Sequence, residues 1–278
     1  MDRSTMFRAF FAELVTARAG VRKTNGALVS AFGAIERERF LGPGPWRMFT
    51  ADGYVDTPTD DVAFVYQDIA IGLTREKPIN NGEPSLHARA ITALELRPGE
   101  RVLHVGAGSG YYTAILAQLV GGDGHVEARE IEAELATRAA ANLREATNVS
   151  VVARSGIESP LPLSDAIYVN AGASRPVAAW LDALRPGGRL IFPFTPGLQP
   201  GVMLKVVRAD DPAVMKVSIV SAAAFIPCCG AQDEREAVRL GEALRRGDVF
   251  RVRTLRRGAP DKSAWLSGED WWFSTDAA

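Results

Sequence analysis

Residues 102–110, Val-Leu-His-Val-Gly-Ala-Gly-Ser-Gly, constrain this chain more than any other stretch. A short apolar strand runs straight into three glycines at alternate positions, Gly106, Gly108 and Gly110, and an apolar helix over 111–120 follows at once. Glycine, having no Cβ, lets the main chain turn sharply and lets a ligand approach it closely. A helix that starts at such a turn points its unpaired N–H groups into the same crevice. The stretch therefore predicts a nucleoside-binding turn. A dinucleotide fingerprint needs a further glycine three positions after the second, and Tyr111 stands there. No Gly-Lys-Ser/Thr follows either, so a phosphate-cradling P-loop is excluded.

The surroundings fit a strand–helix alternation. Strands are predicted over 101–105, 125–130, 149–153, 165–170 and 188–194, with helices over 111–120, 132–146 and 175–184 between them. Pro84 opens a further helix, and Pro98-Gly99 ends it. Such alternation predicts an α/β fold: a mostly parallel sheet flanked by helices. Ahead of it, Met6, Phe7, Phe10, Phe11 and Leu14, then Leu28, Phe32 and Ile35, mark two helices. Residues 41–80 read as an irregular, Gly-, Pro- and Asp-rich connection. After residue 200 come strands over 202–208 and 214–225, an amphipathic helix over 234–246, and two closing strands near 249–255 and 263–274. The organisation expected is thus 1–80 helices and loop, 81–230 core, and 231–278 a C-terminal helix with a β-rich extension.

Composition removes several function classes. At 47% hydrophobic the chain has ample material for a core, and 32 basic against 33 acidic side chains give no overall pull towards nucleic acid or an anionic membrane. The two cysteines, Cys228 and Cys229, are neighbours, which argues against both a disulfide framework and a metal site. No stretch reaches the ~20 apolar residues of a membrane span. A soluble cytoplasmic protein is expected.

Glu130 lies 24 residues after Gly106, at the end of the second strand of the alternation, where a carboxylate can accept hydrogen bonds from two ribose hydroxyls. Strand, glycine turn, helix, strand and acid together resemble the S-adenosylmethionine site of class I methyltransferases. The likeness is closer still: 106–117, Gly-Ala-Gly-Ser-Gly-Tyr-Tyr-Thr-Ala-Ile-Leu-Ala, resembles the matching stretch of protein-L-isoaspartate O-methyltransferases. Leu96–Leu103, Glu134–Ala136, Asn142-Leu143, Pro186–Leu190 with Pro193, Phe225–Pro227, and Arg37–Phe40 are similar to that family in the same order. The resemblance covers roughly residues 5–230.

It implies transfer of the methyl group of S-adenosylmethionine onto a carboxylate of a peptide, protein or small molecule. Gly106, Gly108, Gly110 and Tyr111 would line the cofactor, Glu130 would hold its ribose, and Ser155 with Gly156 would lie beside the adenine. The departures are specific. Where the family carries Thr-Ile-Ser before a proline, this chain has Asn80-Asn81-Gly82 before Glu83-Pro84, so the serine hydroxyl is replaced by Gly82. His104 replaces an acid before the glycine turn, and Ser155 replaces an aspartate at the adenine. A changed acceptor site is expected.

Segment 80–87 has two readings: a turn with a helix cap, or a cover over the cofactor. In the second, Asn81 donates to the acceptor carboxylate, Glu83 meets the cofactor's ammonium and His87 stands close by, and these three are the catalytic candidates. A carboxylate acceptor is already ionised at pH 7 and needs no general base. An alcohol acceptor would need one, with His87 the nearest candidate. His104 reads as structural, accepting a nearby backbone N–H, and His125 as exposed. Of Tyr111 and Tyr112, one is expected to face the sheet and one the cleft rim. Asn170, at the end of a strand, is a candidate substrate or cofactor contact. Arg251, Arg253, Arg256 and Arg257 read as a solvated strand edge, and the aromatic run at 265–273 as core packing or a homodimer contact. Two rivals stay open: a nucleic-acid base methyltransferase of the same fold, and a relative that binds cofactor or partner without turnover.

Overall fold

Asp2 accepts the Thr5 N–H at 2.9 Å and so starts α1 (Arg3–Arg18). The computed structural model describes residues 2–277. Asn25 caps α2 (Gly26–Ala34) in the same manner, on the Leu28 N–H. A third short helix, α3 (Arg37–Leu41), follows where the sequence suggested two. The stretch read as irregular contains a hairpin of β1 (Arg47–Thr50) and β2 (Gly53–Asp56). Pro84 sits at the first turn of α4 (Pro84–Leu94), which ends with Glu95 in a left-handed conformation.

The alternation then runs β3 (Arg101–Val105), α5 (Tyr111–Val120), β4 (His125–Arg129), α6 (Ala133–Asn142), β5 (Val149–Val152), β6 (Ser164–Val169), α7 (Ala178–Ala183) and β7 (Leu184–Phe194). It is followed by β8 (Gly201–Arg208), β9 (Val214–Ala223), α8 (Glu234–Arg245), β10 (Thr254–Arg257), β11 (Ala264–Ser267) and β12 (Trp271–Ser274). No helix among the described residues is long and apolar enough to cross a membrane.

Two compact units interleave along the chain. One takes in the residues up to Gly99 together with Ala107–Ala153, and the other Glu100–Gly106 together with the residues from Arg154 onward. In the first, an aromatic cluster joins the N-terminal helices to α5: Phe11 meets Phe32 and Tyr66 edge-on, and Tyr111 meets Phe32 and Phe40. Its strands β4 and β5 pair in parallel, with Val126 opposite Val149.

The second unit holds eight strands in the order β11-β12-β10-β9-β8-β7-β6-β3. β3, β6 and β7 are parallel, as strands joined by helical crossovers must be, and from β7 to β11 every pairing is antiparallel. The sheet is therefore mixed: the parallel character expected holds for the alternating strands, and the C-terminal half adds an antiparallel run. Trp180, Phe192, Phe194 and Phe273 are fully buried at its core.

The C-terminus corrects two expectations and bears out part of a third. Residues 249–251 form a 3-10 turn, and 264–274 is itself a hairpin turning at Ser267–Asp270, so three short strands replace two. β10 is not an edge, being bonded to β9 on one side and β12 on the other. Its arginines are engaged within the chain, Arg256 over the Trp272 ring at 5.2 Å and Arg257 on Asp182 at 2.5 Å. The aromatic run packs on the core, as one of its two readings expected: Trp265, Leu266, Trp271 and Phe273 belong to this unit's core and Trp272 is buried as well.

Candidate functional site

Gly106, Gly108 and Gly110 all adopt positive φ, at 74°, 57° and 95°. At Gly110 the requirement is double. A Cβ there would be strained and would lie 2.7 Å from Leu143 Cδ1 on the far side of α6. The turn closes with the Gly110 N–H on Ala107 O at 2.9 Å, and Asn142 Nδ2 donates to Ser109 O at 2.9 Å. Gly110 is the N-cap of α5 and offers no side-chain cap, which leaves the helix start to be approached through its main chain.

Glu130 follows β4 and is buried. Its Oε2 accepts the Gly108 N–H at 2.6 Å and its Oε1 the Glu132 N–H at 3.0 Å. Burial pushes this carboxyl up from its usual range, and the backbone N–H donors of Glu132, Gly108 and Ile131 oppose the shift by favouring the anion. The carboxylate thus ties down the glycine turn, a role that its position in the sequence did not reveal. A carboxylate has about four acceptor sites, so these backbone donors leave capacity for a further donor, which fits a ligand carrying vicinal hydroxyls.

Tyr111 and Tyr112 are both buried, and neither reaches a cleft rim. Tyr111 turns into the aromatic cluster of Phe32 and Phe40, so its main chain, at the first position of α5, is what it can offer a ligand. Tyr112 stacks on His87 with ring centroids 3.8 Å apart.

In the second unit, Gly106 faces the main chain of Asn170, 3.6 Å from where a Cβ would stand. Asn170 Nδ2 donates to His104 Nε2 at 2.8 Å, which gives the histidine a side-chain amide as a partner. His104 also stacks on Tyr168, and burial pushes its imidazole down to about 3, leaving it neutral. Ser155 is nearly buried, its Oγ accepting the Ile157 N–H at 3.4 Å. Gly156 has a packing reason to be glycine: a Cβ would lie 2.2 Å from Val105 Cγ1, and its carbonyl accepts Trp180 Nε1–H at 2.8 Å.

Segment 80–87 lies in the first unit. Asn80 Oδ1 accepts the Gly82 N–H and its Nδ2 donates to Tyr54 Oη. Asn81, 8% exposed, exchanges main-chain and side-chain bonds with Ile71: Asn81 N–H to Ile71 O at 3.0 Å, Ile71 N–H to Asn81 Oδ1 at 2.8 Å. Gly82 has φ +73°, and a Cβ there would lie 2.0 Å from His87 Nε2. The imidazole therefore fills the space a serine side chain would use. Glu83 precedes α4 without capping it. Its Oε1 accepts Ser85 Oγ–H, and Asp68 supplies the cap through the Ser85 N–H at 2.8 Å.

Arg37, fully buried in α3, was not singled out as functional by the sequence. Its guanidinium donates to Val65 O, Gln67 O, Ile69 O and Asn81 Oδ1. The only signal was its place in the family-like Arg37–Phe40 stretch.

The family profile described as Protein-L-isoaspartate(D-aspartate) O-methyltransferase (PCMT) matches residues 16–233. The Ignicoccus hospitalis protein-L-isoaspartate O-methyltransferase is 38% identical over 160 residues, covering 54% of this chain and 74% of that one. The Pyrococcus horikoshii protein of the same name is 35% identical over 157 residues, covering 55% and 70%. Among solved structures, a protein-L-isoaspartate O-methyltransferase superposes with a TM-score of 0.66 at 24% identity, covering 84% of this chain and 68% of its own. A Plasmodium falciparum structure of that description, in complex with S-adenosyl-L-homocysteine, superposes with a TM-score of 0.63 at 18% identity, covering 80% and 97%. These two structures fix the fold as that of the class I methyltransferases.

Proposed function

Since the chain belongs to the protein-L-isoaspartate O-methyltransferase family, we propose that it methylates the side-chain carboxylate of an isoaspartyl residue, or of a closely related β-linked acid, in a peptide or protein. It is an S-adenosylmethionine-dependent carboxyl O-methyltransferase. When bound, S-adenosylmethionine supplies an electrophilic methyl carbon on a sulfonium and a neutral thioether as leaving group.

The observation that carries the reading is the Glu130 carboxylate, held by the Gly108 N–H at 2.6 Å and able to accept a further donor. Glu130 would hold the ribose hydroxyls, and the glycine turn would admit the nucleoside against its main chain. Ser155 and Gly156 are assigned to the adenine by the family resemblance, and Tyr111 is assigned through its main chain. Asn81 would donate from Nδ2 to the acceptor carboxylate, and Glu83 would face the cofactor's ammonium. His87 would wall the acceptor side where Gly82 leaves room for it.

This division suits the chemistry. An acceptor carboxylate is anionic at pH 7, so alignment with the methyl carbon is the main task, and orientation can supply ~7–11 kcal/mol. A base is not required of His104, which burial holds neutral in a bond to Asn170. A nucleic-acid acceptor has less support, since Arg256 and Arg257 of β10 are engaged inside the chain.

The test is a labelled-methyl assay with a synthetic isoaspartyl peptide, its aspartyl counterpart, and a tRNA. Base-labile label in the isoaspartyl peptide alone is expected. Base-stable label in tRNA would replace this reading with base methylation, and cofactor binding without label in any acceptor would replace it with a non-catalytic role.

A further inference from the structure

Asn81 holds a side-chain amide that is pinned at one end and open at the other. Its Oδ1 accepts two donors, the Ile71 N–H at 2.8 Å and Arg37 Nη2 at 3.5 Å. Its Nδ2 is buried and has no hydrogen-bond partner among the described residues. A buried amide N–H left unpaired is costly, so a fold that keeps one has a use for the donor. Turning the amide over would set its NH2 against two donors, so the orientation is locked.

The lock depends on Arg37. Its guanidinium also takes the carbonyls of Val65, Gln67 and Ile69 at 2.6, 2.8 and 2.7 Å, gathering the loop that carries Asp68. Asp68 in turn caps α4 at Ser85, so one side chain sets both the amide and the helix start that bears Glu83 and His87. A lysine has no planar fork for four acceptors and would release part of this set.

We propose that Arg37 is a positioning residue for the methyl acceptor: it holds Asn81 with Oδ1 towards the protein and Nδ2 as the donor presented to the acceptor's carboxylate. The role rests on the acceptor reading given above, and it adds a residue that touches neither substrate nor cofactor.

Side-chain amide NMR tests it apart from turnover. The Asn81 NH2 pair is assigned by its loss in Asn81→Asp, and an isoaspartyl peptide is titrated into the unaltered protein, Arg37→Lys, Asn81→Ala and the double variant, all with S-adenosyl-L-homocysteine present. The expected result is that Arg37→Lys moves the Asn81 pair, keeps S-adenosyl-L-homocysteine affinity, and weakens peptide binding about tenfold, with no further loss in the Asn81→Ala background. Should Arg37→Lys fail to fold, Asn81→Asp keeps the acceptor for Ile71 and Arg37 while removing the donor, and is expected to lose peptide binding alone. An Asn81 pair that does not move in Arg37→Lys, peptide loss that is equally large without Asn81, or full peptide binding by Asn81→Asp would overturn the proposal. A peptide that does not bind the unaltered protein, while Arg37→Lys still moves the pair, would overturn the acceptor reading and leave Arg37 as the anchor of the amide.

Discussion

Two glycine-bearing loops lead into helices that belong to the first unit, and they are built on opposite logic. The turn ahead of α5 presents main chain: three positive-φ glycines, an uncapped helix start, and one carboxylate that pins the turn through the Gly108 N–H. The loop ahead of α4 presents side chains: the Asn81 amide, the His87 ring against Gly82, and a cap borrowed from Asp68. A main-chain site keeps its shape under substitution of its neighbours, provided the glycines stay. A side-chain site can be retuned residue by residue.

The comparison can be broken at its strongest point first. Gly110→Val combines left-handed strain with a clash against Leu143 and is expected to cost about 2–5 kcal/mol, read by denaturant unfolding. A smaller loss would mean that the turn tolerates side chains. Glu130→Ala should weaken S-adenosyl-L-homocysteine binding by about 1.5–3 kcal/mol in calorimetry, and unchanged affinity would move the ribose elsewhere. Gly82→Ser should lower stability by about 1–2 kcal/mol through strain at φ +73°, and displace the His87 ring. It should not raise methyl transfer to an isoaspartyl peptide, and its cost should shrink in a His87→Ala background; a gain in rate would show that the serine position is open after all.

The last effect is graded with pH and is small near neutrality. His104, beside the turn, has its folded-state imidazole pushed down to about 3 from 6.5, so between those values the unfolded chain binds the extra proton. Stability should therefore be full above about pH 6.5 and fall as pH drops towards 3, by up to ~1.4 kcal/mol per pH unit. His104→Phe is expected to flatten that slope in urea titrations across the window.

The same contrast explains what the sequence made legible. β3 and α5 were expected over 101–105 and 111–120 and are found there, because an apolar run, alternate glycines and an apolar helix are all local signals. The β1–β2 hairpin was missed, since Arg-Met-Phe-Thr and Gly-Tyr-Val-Asp are too short to show a period. β10 was misread because Thr-Leu-Arg-Arg looks like a solvated edge, and only tertiary structure lays Trp272 under Arg256. In the site, Glu130 was legible from its spacing, but its bond to Gly108 was not. Arg37 was illegible for a physical reason: three of its four acceptors are main-chain carbonyls, which carry no side-chain signature.

The interior place of β10 has a consequence for how the sheet is closed off. Met215 pairs with Leu255, and Leu255 with Phe273, so β10 covers the outer edge of β9 and β12 covers that of β10. Without β10, β9 would offer unmatched peptide groups to any neighbouring strand. Loss of β12 alone would bare β10 in the same way and leave a ribbon prone to stick to its own kind.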